Sequence, residues 1–277
     1  MPKKSTEYFL TTGQQDADRL TIINQLYNPG TLDFIQQSGL TTGMTVLEIG
    51  CGTGHMAVEL AKRVGPSGKV IASDICPKQL VIAQKTATEA QCTNIEFIQL
   101  DINQPMKIDP VDMIYGRWVI EFAQNTAFTV NELCRHLKPE GIFVYEGVDV
   151  SDTEYFCYPP HPTVNHWFQL ILRNWISNHM DLSFVKNFYY DMKRKNISNL
   201  QITANQIILT TPREKSILRQ GLTSVKDTYF RKNFITPIEY EQMIEDFKGI
   251  ENSPAIIGYV RNILVSARCA QYQYSSL

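Results

Sequence analysis

The sequence predicts an α/β protein, doubly wound, whose mostly parallel seven-stranded sheet carries a helical insertion after its fifth strand. Three observations carry that expectation. Short apolar runs alternate with helix-patterned stretches through the first half of the chain, which is the order that parallel strands with right-handed crossovers require. A glycine-rich turn joins the first run to the helix behind it. Acidic residues then stand at the ends of the first three runs.

Helical spacing comes first. Leu20, Ile23, Leu26 and Tyr27 share one face of a helix over Asp16 to Tyr27, and Thr31 to Gly39 continues the pattern to a glycine stop. Five apolar runs follow, at Met44–Ile49, Lys69–Ser73, Ile95–Leu100, Val111–Tyr115 and Gly141–Val148. Helices are expected at Gly54–Val64, Pro77–Gln91 and Thr126–Leu137. Residues 151–190 are chemically distinct, because ten of their forty side chains are aromatic against 10% in the whole chain. Within them Val164, Trp167, Phe168, Ile171, Leu172 and Trp175 fall at i, i+3, i+4, i+7 spacing, an amphipathic helix. Strand patterning resumes at Ile202–Leu209 and ends at Ile256–Ala267, which brings the runs to seven. Between them, Thr211-Pro212-Arg213-Glu214 and Thr236-Pro237-Ile238-Glu239 each offer an N-cap hydroxyl, a proline at N1 and a glutamate at N3, so each opens a helix. The expected organisation is an N-terminal helical cap (1–40), an α/β core (41–150), a helical insertion (151–200) and a C-terminal part that completes the sheet (201–277).

Composition excludes several classes. With 43% hydrophobic and 19% charged residues the chain has enough apolar material for a core and is not a disordered segment. A net charge of -2 lacks the basic excess of a phosphate-gripping protein. The local basic cluster Lys193-Arg194-Lys195 reads as a solvated helix end. Six scattered cysteines form no Cys-x-x-Cys pair and no zinc-ligand spacing, so no metal is expected, and the thiols point to a reducing, cytoplasmic setting. No apolar run approaches the ~20 residues that span a bilayer, so a soluble protein, monomeric or homodimeric, is expected.

The informative stretch is Val46-Leu47-Glu48-Ile49-Gly50-Cys51-Gly52-Thr53-Gly54. Glycines at 50, 52 and 54 remove side chains where a backbone must approach a ligand and permit angles closed to other residues. The helix start behind them presents free N–H groups to an anion. A glycine-rich turn alone also fits nicotinamide or flavin sites. The pattern here is G-x-G-x-G and not the dinucleotide G-x-G-x-x-G, since residue 55, where that fingerprint places its last glycine, is His, and Glu48 precedes the first glycine. Asp74 ends the second run, where an acid can accept both hydroxyls of a ribose. Asp101 and Ile102 end the third, where an acid can take an amino group while the aliphatic chain packs on a ring. Three acids at three parallel strand ends converge on one crevice.

Taken together, Val46–Gly54, Asp74, Asp101-Ile102, Val111–Tyr115 and Leu137-Lys138-Pro139-Glu140-Gly141 resemble, in order, the successive motifs of class I methyltransferases that use S-adenosylmethionine (SAM). The resemblance covers residues 40–150 and implies a Rossmann-like methyltransferase fold with SAM as cofactor and S-adenosylhomocysteine as product. Tyr8, Arg19-Leu20, Arg117-Trp118-Val119-Ile120-Glu121 and the part from Thr211 resemble bacterial small-molecule methyltransferases related to those of quinone biosynthesis. On this resemblance Gly50, Cys51, Gly52 and Gly54 line the methionine part of SAM, with Glu48 orienting the loop and the amino group. Asp74 holds the ribose with Ile75 against adenine, and Asp101 and Ile102 bind the adenine edge. The backbone near Gly116 and Arg117 meets the methionine amine, and Tyr8 or Arg19 closes over the cofactor. His55 departs from the small or acidic residue common at its position and reads as a solvated helix residue.

Methyl transfer from a sulfonium needs positioning and exclusion of water, and needs a general base only when the acceptor is protonated. Candidate bases are Glu146 and Asp149 at the end of the fifth strand and His161 and His166 in the insertion, where a histidine also serves as a hydrogen-bonded lid residue. The aromatic insertion fits a lid over a small apolar or planar acceptor, and equally fits rings that pack the insertion on the sheet. RNA or protein methylation, and a SAM-binding module without catalysis, are the competing readings. A nicotinamide oxidoreductase is disfavoured by residue 55 and Asp101.

Overall fold

The computed structural model describes residues 14–149, 155–269 and 272–275, without the side chains of 14, 15 and 149. The elements in chain order are α1 (Gln14–Ser38), β1 (Thr45–Ile49), α2 (His55–Val64), β2 (Lys69–Asp74), α3 (Pro77–Glu89), β3 (Ile95–Gln99), β4 (Val111–Arg117), α4 (Thr126–Arg135), β5 (Leu137–Asp149), β6 (Phe156–Tyr158), α5 (Pro162–Ser177), α6 (Phe184–Arg194), β7 (Gln201–Leu209), α7 (Pro212–Ser224), α8 (Lys226–Arg231), α9 (Pro237–Glu251) and β8 (Ile256–Arg268). By internal contacts the chain forms two compact units. Of the described residues, the larger holds those in 27–148, 181–205 and 262–275; the smaller holds those in 14–26, 149–180 and 206–261.

In the larger unit the strands run in the order β3-β2-β1-β4-β5-β8. The pairs β1–β2, β1–β4, β2–β3 and β4–β5 are parallel, as the alternation of runs and helices predicts. Apolar layers cover both sheet faces. Leu47, Ile49, Ile114, Phe143 and Tyr145 belong to one buried cluster, while Val46, Met113, Tyr115 and Val144 belong to the other. Alternate residues of each strand thus face opposite layers, the pattern of a doubly wound sheet.

Local chemistry sets the helix starts. Asn125 caps α4 by accepting from Phe128 N at 3.0 Å. Both Thr-Pro-x-Glu segments form complete capping boxes at α7 and α9. Helix α1 corrects one expectation: the two N-terminal patterns are a single helix with Pro29 inside it. Pro29 removes one hydrogen bond, to the carbonyl of Gln25. Gly30 beside it lies against Asn205, whose Nδ2 would be 2.8 Å from an added Cβ.

Two further differences concern the insertion. The described strands number eight, not seven, because Phe156–Tyr158 pairs antiparallel with the start of β8 inside the smaller unit; three residues are too few to show a period in sequence. The aromatic stretch also divides. Helix α5 lies in the smaller unit, whereas α6 lies in the larger, where Phe184 and Phe188 are fully buried against Tyr272 and Tyr274.

Candidate functional site

Strand β1 delivers its glycine turn at its carboxyl end. Gly50, Gly52 and Gly54 all have positive φ (67°, 53° and 79°). Their reasons differ, which corrects the expectation that all three clear space for a ligand. A Cβ on Gly50 would stand 2.2 Å from Val119 Cγ2, and one on Gly54 would stand 2.8 Å from Ala83 Cβ on α3, so both are demanded by protein packing. A Cβ on Gly52 would meet nothing within 4 Å. Gly52 alone of the three turns an open face outward. Gly50→Ala should therefore lose about 2–4 kcal/mol, from a left-handed backbone and an overpacked contact together, while Gly52→Ala should lose only about 1–2 kcal/mol. Urea unfolding of both variants checks this order; a larger loss at Gly52 would contradict the open face.

The acid ending β2 is tied to that turn. Asp74 Oδ2 accepts from Gly52 N at 3.0 Å and Oδ1 from Cys76 N at 2.8 Å. Burial pushes its carboxyl up, and the N–H groups of Cys76, Gly52 and Ile75 pull it back. An ionised carboxylate offers about four acceptor positions, so these backbone bonds leave capacity for a ligand. Ile75 is 48% exposed beside it. The ladder continues from Leu100 N to Asp74 O at 3.1 Å, which sets Asp101 at the adjoining strand end. There Asp101 Oδ1 accepts from Asn103 N and Nδ2, both at 2.9 Å. Ile102 packs half-buried against the core, its carbonyl held by Thr129 Oγ1.

Glu48 lies beneath this rim and is 3% exposed. Its Oε2 is buried and makes no hydrogen bond. Burial pushes its carboxyl up to about 8, with Arg117 lowering it and Asp74 raising it. In register Glu48 stands beside Tyr115 of β4, and Arg117 stands beside Glu146 of β5, all on one sheet face. Arg117 Nη1 lies 3.6 Å from Glu146 Oε2, and its Nη2 donates to Asn28 Oδ1 at 3.0 Å.

Glu146 is the centre of that layer, and its expected role as a general base is corrected by its surroundings. It is fully buried, and Thr31 Oγ1 (2.9 Å), Tyr115 OH (3.0 Å) and Asn262 Nδ2 all donate to it. Every approach to its oxygens is taken by protein. Asn262 Oδ1 in turn accepts from the indole of Trp118, whose ring meets Tyr27 edge-on at 5.5 Å. The opposite sheet face holds a second carboxylate, Glu121. Tyr145 OH donates to it, Val148 N donates to its Oε1 at 3.3 Å, and burial raises its carboxyl to about 7. The same Tyr145 oxygen accepts from Val119 N and Ile120 N (2.9 and 2.8 Å), which fixes Val119 over Gly50.

The remaining candidates divide between the turn with its neighbouring strand end, which hold Gly116, Cys51 and His55, and the smaller unit, which holds Arg19, His161 and His166. Gly116 is closed by Ile49, 2.5 Å from an added Cβ. Cys51 is buried, and burial pushes its thiol up. His55 is half-buried and its imidazole pKa is lowered by burial, so it is not the solvated residue expected. Arg19 is buried in the smaller unit, bound to Asp16 through two contacts at 2.6 and 2.5 Å. His161 caps α5 by accepting from Thr163 N at 3.2 Å and lines a cavity of about 490 Å³ in the smaller unit with Asp246, Ile250 and Pro254. His166 stands near Glu239, whose carboxyl it helps to lower. Tyr8 and the Asp149 side chain lie outside the described residues. Among the described residues no group of His, Cys, Asp and Glu is placed to hold a metal ion, and no helix is long and apolar enough to cross a membrane.

Thr31, Asn262, Tyr115, Tyr145 and Val119 are the contributors that sequence reasoning missed. Each acts through a contact whose partner is distant in the chain, so no local spacing announces it.

Comparison with known proteins bears on the fold and the family. A phosphoethanolamine N-methyltransferase 2 from Haemonchus contortus, solved with phosphomonomethylethanolamine and S-adenosylhomocysteine, superimposes with a TM-score of 0.57 at 16% identity, covering 96% of this chain and 59% of that one. The YcgJ protein of Bacillus subtilis gives 0.53 at 20% identity, covering 84% and 94%. These likenesses show the fold, the Rossmann-like α/β fold of SAM-dependent methyltransferases. The model of the methyltransferase domain family matches residues 40–216, well over half of the chain, and the chain belongs to that family. Among curated relatives, the demethylmenaquinone methyltransferase of Lactococcus lactis subsp. lactis (strain IL1403) is 30% identical over 141 residues, 50% of this chain and 53% of that protein. The ubiquinone/menaquinone biosynthesis C-methyltransferase UbiE of Pseudomonas fluorescens (strain SBW25) is 31% identical over 109 residues, 39% and 43%. The chain spans about half the length of the curated relatives it matches.

Proposed function

We propose that this protein transfers a methyl group from SAM to a small, apolar or aromatic acceptor. The observation that carries the reading is the rim of β1, β2 and β3: an open Gly52 face bonded to Asp74, above a buried Glu48 oxygen that has no partner. The residues fit the cofactor. Gly52 leaves room for the methionine chain, Glu48 Oε2 is an acceptor awaiting its ammonium, and Asp74 keeps acceptor capacity for ribose hydroxyls. Ile75, Asp101 and Ile102 offer an apolar face and a carboxylate to adenine. When bound, SAM supplies a methyl already activated on a sulfonium, released by in-line displacement.

The protein's own task is to position and to exclude water. Glu146 is spent on holding β4, β5 and α1, so a base for a protonated acceptor is sought at Asp149, His161 or His166. We assign residues 1–40 as a cap, 41–150 as the SAM-binding core and 201–277 as the part that completes the sheet. The lid role falls to 151–180 of the insertion, since α6 belongs to the larger unit's core. Curated relatives named for menaquinone and ubiquinone biosynthesis support a planar acceptor, and the six free thiols support a cytoplasmic setting.

Asp74→Ala is expected to weaken SAM at least tenfold by calorimetry, since charge-assisted bonds to ribose contribute roughly 1.5–3 kcal/mol. An unchanged affinity would refute the ribose assignment. Mass spectrometry of the purified protein discriminates cofactor class: SAM or S-adenosylhomocysteine supports the reading, and NAD overturns it.

A further inference from the structure

Strand β4 leaves the sheet through a strained residue. Trp118 has φ 56°, in the left-handed region that a bulky side chain enters only at a cost. Such a backbone persists where its surroundings over-determine it. Trp118 N donates to Glu146 O at 3.0 Å, and the indole donates to Asn262 Oδ1 at 3.0 Å. The next two backbone donors, Val119 N and Ile120 N, both go to the Tyr145 hydroxyl oxygen, at 2.9 and 2.8 Å. That hydroxyl in turn donates to Glu121 Oε2, in the tight helical turn Ile120–Phe122 that follows.

This clamp is built into the core of the larger unit. Tyr145 is fully buried, and Phe184 meets its ring edge-on at 5.2 Å, which fixes where the hydroxyl lies. Glu121 is buried as well. Its carboxyl has room because residue 147 is glycine: a Cβ there would stand 2.8 Å from Glu121 Oε1 and 2.9 Å from Val185 Cβ. Burial penalises the charge of this acid, and the charge of Asp181 adds to the penalty. An acid so placed lowers stability unless its hydrogen bonds repay the burial. What it holds is the hydroxyl: by taking the Tyr145 proton, Glu121 turns the oxygen's lone pairs toward Val119 N and Ile120 N.

Val119 is the residue that the clamp positions. Its Cγ2 would stand 2.2 Å from a Cβ on Gly50, so it closes over the first glycine of the turn. From there the turn runs to Gly52, whose N–H is held by Asp74 and whose outer face is open. We propose that Tyr145 and Glu121 are positioning residues for the cofactor: they lock Val119 against Gly50, and the locked turn is the shape that receives SAM. Both act through Val119 and the backbone beside it. The proposal rests on the reading of the Gly50–Gly54 turn as the SAM site. With the clamp cut, the turn visits other shapes, and apparent affinity falls with the population that keeps the receiving one.

Calorimetry with SAM on the intact protein tests it. Tyr145→Phe strands two buried N–H groups and should weaken SAM about tenfold, the factor that follows if roughly a tenth of the molecules keep the shape. Val119→Ala, which disturbs no polar group, should weaken it similarly. In the double variant the losses should not multiply: once Val119 is truncated, Tyr145→Phe should cost little further affinity, because both changes cut one path. Glu121→Ala should weaken SAM too, and Glu121→Gln, whose amide oxygen still accepts from Tyr145, should recover most of the loss. Tyr272→Phe is the control, since its hydroxyl donates to Asp191 in the same core. It should lower the melting temperature and leave SAM affinity alone. The proposal is overturned if the single variants bind SAM as the wild type does, if the losses multiply, or if Tyr272→Phe weakens SAM as much as Tyr145→Phe. Should Tyr145→Phe not fold, Val119→Ala and the two Glu121 variants decide by the same outcomes. A wild type that binds no SAM overturns the reading of the turn, and the proposal with it, before any variant is compared.

Discussion

Glu146→Ala is expected to destabilise the protein by about 3–5 kcal/mol, the usual consequence of removing one side of a buried charged pair. A melting temperature lower by on the order of 10 °C follows. Thr31, Tyr115 and Asn262 lose their common acceptor, and Arg117 loses its nearest carboxylate. The loss should fall toward the lower end, because Glu48 can ionise against Arg117 in compensation. Glu146→Gln, which keeps one acceptor oxygen, should recover part of the stability. It should also leave the pH profile of turnover where the wild type has it. A Gln variant that melts like the wild type yet loses activity would mean that Glu146 is a base after all.

The second large effect is a fall in stability of the ligand-free protein as pH rises from about 5 toward 8. Glu48 titrates at about 8 and Glu121 at about 7 in the folded protein, against 4.5 for an ordinary glutamate. Between those limits the unfolded chain has released both protons and the folded chain still holds them. Unfolding then liberates protons, so higher pH favours it, by up to about 1.4 kcal/mol per pH unit for each group. The slope should halve above about pH 7 and vanish above about 8. Carboxylates that neighbours lower, Glu59, Asp191 and Glu214 among them, act with the opposite sign but only below the ordinary glutamate range. Urea unfolding at a series of pH values checks the slope, and Glu121→Gln should remove its share. A flat or rising curve over this window would show that the two acids are ionised in the folded state. Docking of an ammonium beside Glu48 should draw off its proton, so SAM binding should release protons near neutral pH.

Much of the larger unit is legible in the sequence, and the reason is local. A buried parallel strand must be apolar throughout, a glycine turn must follow β1, and a Thr-Pro-x-Glu segment caps its own helix. The run from Val46 to Gly54 accordingly reads correctly, as do both capping boxes. What stays hidden depends on partners. The three glycines look alike in sequence, yet Val119 and Ala83 account for two of them, and neither neighbour is implied by spacing. Phe184 and Phe188 look like lid residues by composition, but Tyr272 and Tyr274 bury them. Glu146 at a strand end looks like an acid facing a ligand until Thr31 and Asn262, each more than a hundred residues away, are found on its oxygens. Periodicity tells which face a side chain occupies and is silent on what comes to meet it.

The residues around Glu146 fall on both sides of the family match's bounds. The family match, residues 40–216, contains Tyr115, Arg117 and Glu146 but neither Thr31 nor Asn262. The polar knot beneath the strand ends is thus tied by α1 and β8, two segments that the shared domain does not include. Helix and strand arrive from opposite termini and each surrenders one neutral donor to the same carboxylate. A variant altered only inside the matched span can keep every familiar motif, yet its innermost carboxylate still relies on two residues outside that span.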